Sequence, residues 1–363
     1  MTTACAMLAL VTDAFGGRGG IAQYNRDLLG ALAGTGAVCS ITVLPRHAPD
    51  PVATPAGITQ HPPRRDRVRY VVAALRAAFA KRADLIFCGH LYMAPLGALI
   101  ARLTGAKLIV QMHGIEAWPP ASHLQRTAVE TADLVLCVSR FTRASVLGWA
   151  AIAPERLVVL PNTVGSEFAP GDRSALQAAW GLQDKRVLLT VGRMDPRERY
   201  KGHEQVIAAI PQLVAAGHDV VYLVVGEGDD LKCLEASAGQ AGLADRVQFL
   251  GSVDKPRLID IYRMADLFVM PSTGEGFGIA FLEAMASGTP ALGLDVAGAR
   301  DALADGELGT CVAETGLAGA LARALNSPNG DGEVLARAVQ ARFGRQNFNR
   351  GACAAVARIF EPS

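Results

Sequence analysis

Short apolar runs recur along this chain, and helix-favouring stretches separate most of them. That alternation constrains the fold more than any other feature. The runs are 6–12, 39–44, 84–88, 107–112, 134–138 and 157–160, then 187–191, 220–225, 247–250, 266–270 and 291–294. A short continuous apolar run between turn signals predicts a strand buried on both faces, and intervening helices make such strands parallel. The series breaks once, at 160–171, where Pro161, Gly165, Pro170 and Gly171 predict an interdomain linker. A length of 363 residues suits two domains, each with its own core. The expectation is therefore α/β: two doubly wound Rossmann-like domains facing a central cleft, at 1–165 and 172–344. Ligands should bind at the C-terminal ends of the strands. A turn cluster at 327–332 precedes the last helices.

The net charge of +1 gives no reason to expect nucleic acid as a partner. No apolar run reaches membrane-spanning length, and the first 15 residues read as strand and loop rather than signal peptide. A cytoplasmic location is expected. The seven cysteines (Cys5, Cys39, Cys88, Cys137, Cys233, Cys311 and Cys353) are scattered, without C-x-x-C, and read as reduced packing residues rather than disulfides or a metal site. One local bias stands out. Between Arg64 and Arg82 lie Arg65, Arg67, Arg69, Arg76 and Lys81 against the single acid Asp66, with Val68, Val71, Val72, Leu75 and Phe79 interleaved at helical spacing. Two readings remain open: a helix face for anionic lipid headgroups, or a solvated helix with its apolar side in the core.

The richest chemical motif is the stretch from Glu275 to Glu283. The run 266–270 predicts a strand, Pro271 to Gly274 its turn, and Ala280 to Met285 a helix stopped by Gly288-Thr289-Pro290. Glu275 is expected just outside the helix N-terminus and Glu283 about two turns inside. Free N–H groups at such a terminus suit phosphate or sugar oxygens, and carboxylates suit hydroxyls, a combination that points to a nucleotide sugar. Two solvated glutamates on a strand-loop-helix unit are the simpler alternative.

Other strand ends carry candidates. After the first strand, Gly16-Gly17-Arg18-Gly19-Gly20 forms a turn whose amides can approach a phosphate. Gly17, Gly19 and Ala22 also fit G-x-G-x-x-A, but the second strand ends Leu44-Pro45-Arg46, without the acid a ribose requires. Arg46 could meet a 2′-phosphate, so an NADP-dependent oxidoreductase stays an alternative, as does a plain tight turn. Arg193 ends another strand and Lys201 precedes a helix, which suits a diphosphate; Arg197, Glu198 and Arg199 read as surface charge. His113 closes the strand 107–112 and can hydrogen-bond substrate or be structural, and His90 is a weaker candidate of the same kind. No D-x-D, H-E-x-x-H, G-x-S-x-G or P-loop occurs, which argues against a metal–diphosphate pair, a metalloprotease, an α/β-hydrolase and a P-loop ATPase.

In order along nearly the whole chain, the Gly-rich turn, Met112-His113-Gly114, Val191-Gly192-Arg193, Lys201-Gly202, Val225-Gly226-Glu227-Gly228, Phe249-Leu250-Gly251 and Glu275 to Glu283 resemble the retaining glycosyltransferases of family 4, which have the GT-B fold. The resemblance implies roles. Glu275, with the amides of Gly276, Phe277 and Gly278, would hold the donor sugar's hydroxyls, and Glu283 the ribose. Arg193 and Lys201 would neutralise the diphosphate, replacing a metal, so that no metal or other cofactor is expected. Gly19 and Gly20 would close over the phosphates, His113 would contact the sugar, and Val253 and its neighbours would bracket the base. A C-terminal helix at about 345–363 would pack back on the first domain. A front-side displacement with retention follows, in which neither Glu275 nor Glu283 is a nucleophile; a trapped glycosyl-enzyme adduct on either would refute it.

Asp254 bears on the base. A carboxylate can accept from both N1–H and the N2 amino group of guanine, whereas uracil offers one ring N–H, so Asp254 favours GDP-mannose. Capping of the helix that starts near Lys255 is the competing role. A UDP-glucose or UDP-N-acetylhexosamine donor with a soluble acceptor is the alternative. The favoured acceptor is a lipid-linked or other glycan, in bacterial exopolysaccharide or lipopolysaccharide assembly, with peripheral attachment to the inner face of the cell membrane.

Overall fold

The computed structural model describes residues 5–36, 38–50, 52–327 and 330–360. Positions 328–329 of the expected turn and 361–363 of the expected last helix lie outside these. The chain divides into two compact units, residues 1–163 with 346–363, and residues 164–345.

The first unit holds seven parallel strands: β1 (Ala6–Val11), β2 (Ser40–Pro45), β3 (Ile58–Gln60), β4 (Leu85–Cys88), β5 (Lys107–Met112), β6 (Leu134–Cys137) and β7 (Leu157–Val159). Their order is β3-β2-β1-β4-β5-β6-β7. The connecting helices are α1 (Gly20–Gly34), α2 (Arg67–Lys81), α3 (Ala94–Thr104), α4 (His123–Thr131) and α5 (Arg140–Trp149). β4 and β6 are buried along their whole length, as strands covered on both faces must be. Leu8, Leu10, Ile86, Leu108, Val110 and Val135 lie in one core beside Tyr70 and Ala74 of α2.

The second unit repeats the plan. Its strands are β8 (Arg186–Val191), β9 (Val220–Val225), β10 (Val247–Gly251), β11 (Leu267–Met270), β12 (Ala291–Leu294) and β13 (Thr310–Val312), all parallel, in the order β10-β9-β8-β11-β12-β13. Its helices are α6 (Arg173–Ala179), α7 (His203–Ala215), α8 (Leu231–Gln240), α9 (Lys255–Met264), α10 (Ile279–Ala286), α11 (Ala299–Ala302), α12 (Leu317–Asn326) and α13 (Gly332–Phe343). Val164 N donates to Phe343 O at 3.1 Å, tying the unit's first residue to its last long helix. The final helix, α14 (Arg345–Ala357), packs almost wholly in the first unit. Phe348 meets the Tyr24 ring edge-on at 5.7 Å, and Cys353 Sγ lies 2.8 Å from Thr35 Oγ1.

Two strands escaped the sequence reading. β3 and β13 have three residues each and sit at sheet edges, pairing only with β2 and β12. An edge strand buries one flank, so it needs no apolar run. One expectation about side chains also needs correction, and one open alternative is decided. Cys88 and Cys137 are buried packing residues, but Cys39 and Cys233 are exposed. In α2 the core face is Tyr70, Ala74 and Ala78, whereas Val68, Val72 and Phe79 are 71%, 40% and 57% exposed. The interleaved valines and Phe79 therefore do not form the helix's inner side.

Candidate active site

In the second unit, adjacency of β8 and β11 brings two strand-end loops together. One runs from Gly192 through the 3₁₀ turn Pro196–Lys201 to α7, and the other from Pro271 to α10. Thr273 N donates to Tyr200 O at 2.9 Å, and a Cβ on Gly274 would sit 3.1 Å from the Tyr200 ring. Arg193, Lys201 and Glu275 are grouped as a result. Burial pushes the Glu275 carboxyl up from its usual value; Lys201 opposes the rise and Glu198 adds to it. Glu198 is not the surface charge expected. Its Oε1 lies 3.2 Å from Arg193 Nη1 and its Oε2 2.8 Å from Lys201 Nζ, so one carboxylate bridges both cations. Arg199 is likewise engaged, with its Nη2 2.6 Å from Oδ1 of the buried Asp230.

The Glu275 loop is held by the backbone. Gly298 N donates to Glu275 O at 2.9 Å, and a Cβ on Gly298 would overlap the Gly276 carbonyl. Gly278 caps α10 with φ +99°, without a side-chain cap, so the helix's first N–H groups are left for other acceptors. Phe277 is buried against Phe343, with ring centroids 5.7 Å apart. Glu283 is the fifth residue of α10, little more than one turn inside rather than two, because the helix starts only at Ile279. It is buried, and Tyr262 Oη donates to its Oε2 at 2.9 Å. Burial first, then the Glu283 charge, pushes the Tyr262 phenol well above its usual value. Val253 is half-buried and Asp254 exposed at the start of α9. Asp254 Oδ1 accepts from Arg257 N at 3.0 Å, the capping role weighed above.

In the first unit, β1 leads into a turn in which Gly16 (φ +85°) and Gly19 (φ +87°) adopt left-handed backbone, and Gly19 and Gly20 open α1. His113 ends β5. Its Nε2 lies 2.9 Å from Gly89 O, and its backbone N–H donates to Glu116 Oε1 at 2.6 Å. A carbonyl only accepts, so Nε2 carries the proton and neutral His113 keeps Nδ1 as an acceptor. Burial lowers its pKa against the opposing pull of Glu116. His90 stacks on Tyr92 at 4.5 Å and lies 6.0 Å from the His113 ring; burial pushes it down to about 4. Arg46 Nη2 donates to Arg65 O and its guanidinium lies 5.6 Å from the Tyr70 ring centroid, so it already has partners where a 2′-phosphate was considered. Beside α2 lies a hollow of about 450 Å³ lined by Arg64, Arg69 and Arg76 with Val68 and Val72. Among the described residues, no helix is long and apolar enough to cross a membrane.

Glu198, Gly298 and Tyr262 were the functional or supporting residues that sequence reasoning missed. Glu198 left one signal, its i,i+3 spacing to Lys201. Gly298 and Tyr262 left none, since their partners lie 23 and 21 residues away.

Comparison with known proteins gives a consistent result. The family described as "Glycosyltransferase Family 4" matches residues 18–168, and "Glycosyl transferases group 1" matches 172–342. The chain is 34% identical over 236 residues to the GDP-mannose-dependent alpha-(1-6)-phosphatidylinositol monomannoside mannosyltransferase of Mycolicibacterium smegmatis, a match spanning 61% of this chain and 60% of that protein. It is 33% identical to D-inositol 3-phosphate glycosyltransferase 2 of Catenulispora acidiphila, over 72% of this chain and 67% of that one. Among solved structures, Anabaena HepE in complex with UDP-glucose superposes with TM-score 0.77 at 20% identity, over 97% of this chain and 99% of that one.

Proposed function

The chain belongs to the family 4 glycosyltransferases, with the GT-B fold, and from that premise we propose that it moves a hexose, mannose favoured, from a nucleotide sugar to a lipid-linked or other glycan acceptor. The observation that carries the donor site is the grouping of Arg193, Lys201 and Glu275 where β8 and β11 end. Glycosyl transfer builds negative charge on the leaving diphosphate as the sugar becomes oxocarbenium-like. Fixed cations and free amides beside a helix N-terminus stabilise that charge. Arg193 and Lys201 take this role in place of a metal, and the family resemblance supplies the expectation of retention of configuration. Glu275 and the amides of Gly276, Phe277 and Gly278 hold sugar hydroxyls, Glu283 the ribose, and Gly19 and Gly20 the phosphates. His113 accepts a sugar hydroxyl at Nδ1.

GDP-mannose is favoured by the Mycolicibacterium relative's donor, while the HepE complex keeps UDP-glucose as the second reading. The exposed Val68, Val72 and Phe79 among the arginines of α2 favour an acceptor presented at an anionic membrane surface, at the inner face of the cell membrane. A thermal-shift panel with GDP, UDP and NADPH, with and without magnesium, tests the donor site. A magnesium-independent shift with GDP alone is expected; a shift with UDP alone moves the assignment to the second reading, and no shift with either refutes the donor site. Sedimentation with vesicles containing phosphatidylglycerol at low salt tests the membrane reading, and absence of binding removes it.

A further inference from the structure

We propose that Glu198 is the built-in counter-anion of the diphosphate site, and that it loosens the hold on the nucleoside diphosphate product more than on the sugar-nucleotide donor. The proposal rests on reading Arg193 and Lys201 as the diphosphate's cations.

The geometry is that of a bridge. Glu198 gives one oxygen to each cation, at 3.2 Å to Arg193 and 2.8 Å to Lys201. Its side chain is 21% exposed, against 57% for Arg193, so it lies deeper than one of the charges it serves. The turn that carries it is pinned on both sides. Asp195 accepts from Arg197 N at 2.9 Å, and Tyr200 O accepts from Thr273 N at 2.9 Å. The backbone that carries Glu198 is therefore held by bonds that do not involve the ligand. Neither cation is used up by it, because a guanidinium has five N–H donors and an ammonium three. Phosphate oxygens can still be bound, at a site whose two cations carry a net charge reduced by one.

That reduction acts unequally on donor and product. In the donor, the diphosphate is esterified at both ends, and each phosphorus carries one negative oxygen. When the bond between the anomeric carbon and its oxygen breaks, the electron pair stays on that oxygen, now part of the terminal phosphate. The product has gained a charge that persists above a pKa of about 6. Two unopposed cations would hold this more highly charged product more tightly than the donor. A fixed carboxylate beside them repels the added charge and narrows the gap.

The test is isothermal titration of the full chain, without acceptor, comparing GDP with GDP-mannose and UDP with UDP-glucose. Wild type is set against Glu198→Gln, which keeps the shape, and Glu198→Ala, which removes the group. Cooperative melting establishes that each variant is folded. A like charge removed at this range should tighten nucleoside diphosphate binding about tenfold and sugar-nucleotide binding, with about two-thirds of the charge, about fivefold or less. Unchanged or weaker diphosphate binding, or an equal gain for both ligands, overturns the proposal and leaves Glu198 as a spacer between the cations. A wild type that binds neither nucleotide refutes the donor-site reading instead.

Discussion

The two units share one architecture, a parallel sheet with its loops at the strand ends, yet they offer a ligand different surfaces. The second unit offers charge: Arg193 and Lys201 joined through Glu198, with Glu275 beside them. The first offers left-handed glycine backbone at Gly16 and Gly19, with two ring systems, His90 and His113, that burial keeps neutral. The sheet fixes where a ligand can sit, at the C-terminal ends of strands, and the loops decide what it meets there. On the proposed reading, the cations that meet the diphosphate come from the second kind of surface.

The largest expected effect breaks the charged side of that contrast. Lys201→Ala should lower the transfer rate roughly 10²–10³-fold, as loss of one preorganised charge-stabilising group does elsewhere. Turnover within a few-fold of wild type in a donor-saturated assay would remove Lys201 from the diphosphate site. Next comes the backbone that holds Glu275. Gly298→Ala forces a Cβ into the Gly276 carbonyl, and an overpacked site costs about 1–3 kcal/mol. Urea denaturation should show that loss together with weakened donor binding; an unchanged midpoint would mean the loop yields without strain.

Acid stability sharpens the comparison of neutral groups. Burial pushes His90 in the first unit and His203 in the second down to about 4, and the model-peptide value is about 6.5. Between those pH values the unfolded chain binds protons that the folded chain does not. Their contribution is therefore complete above about pH 6.5 and is lost as pH falls toward 4, by at most about 1.4 kcal/mol per pH unit for each histidine. Urea titrations at pH 7.5 and 5.0 should show the fall, and His203→Asn should flatten it; an unaltered slope would mean that His203 titrates alike in the folded and unfolded chain. The smallest effect is Asp254→Ala, which should cost about 1 kcal/mol as a lost helix cap. If the variant also loses its preference for GDP over UDP, Asp254 reads the base; if only stability changes, it is a cap alone.

Much of this was legible in the sequence, and the misses share a cause. The long apolar strands, the break at 160–171 and the separate identities of Arg193, Lys201, Glu275 and His113 could be read because each depends on a short window of chain. β3 and β13 lie outside that reading because Ile58-Thr59-Gln60 and Thr310-Cys311-Val312 interrupt any apolar run with polar residues, unlike the equally short edge strand β7, Leu157-Val158-Val159. The facing of the α2 valines stays open in the sequence because helical spacing shows that a stripe exists, not which stripe faces the sheet; Tyr70, Ala74 and Ala78 fill that contact.

What the sequence determined by itself was therefore the α/β class, the order of its elements and the candidate residues at strand ends, since periodicity and turn chemistry are local. What only the tertiary structure decided was how those residues are paired. Pairing of β8 with β11 puts Glu275 beside Lys201. The fold of a single turn makes Glu198 a bridge, and the packing of α9 against α10 gives Glu283 its Tyr262 partner. Electrostatic and hydrogen-bond energies depend on distances of a few ångströms, and those distances are set by how separate segments of the chain pack against one another.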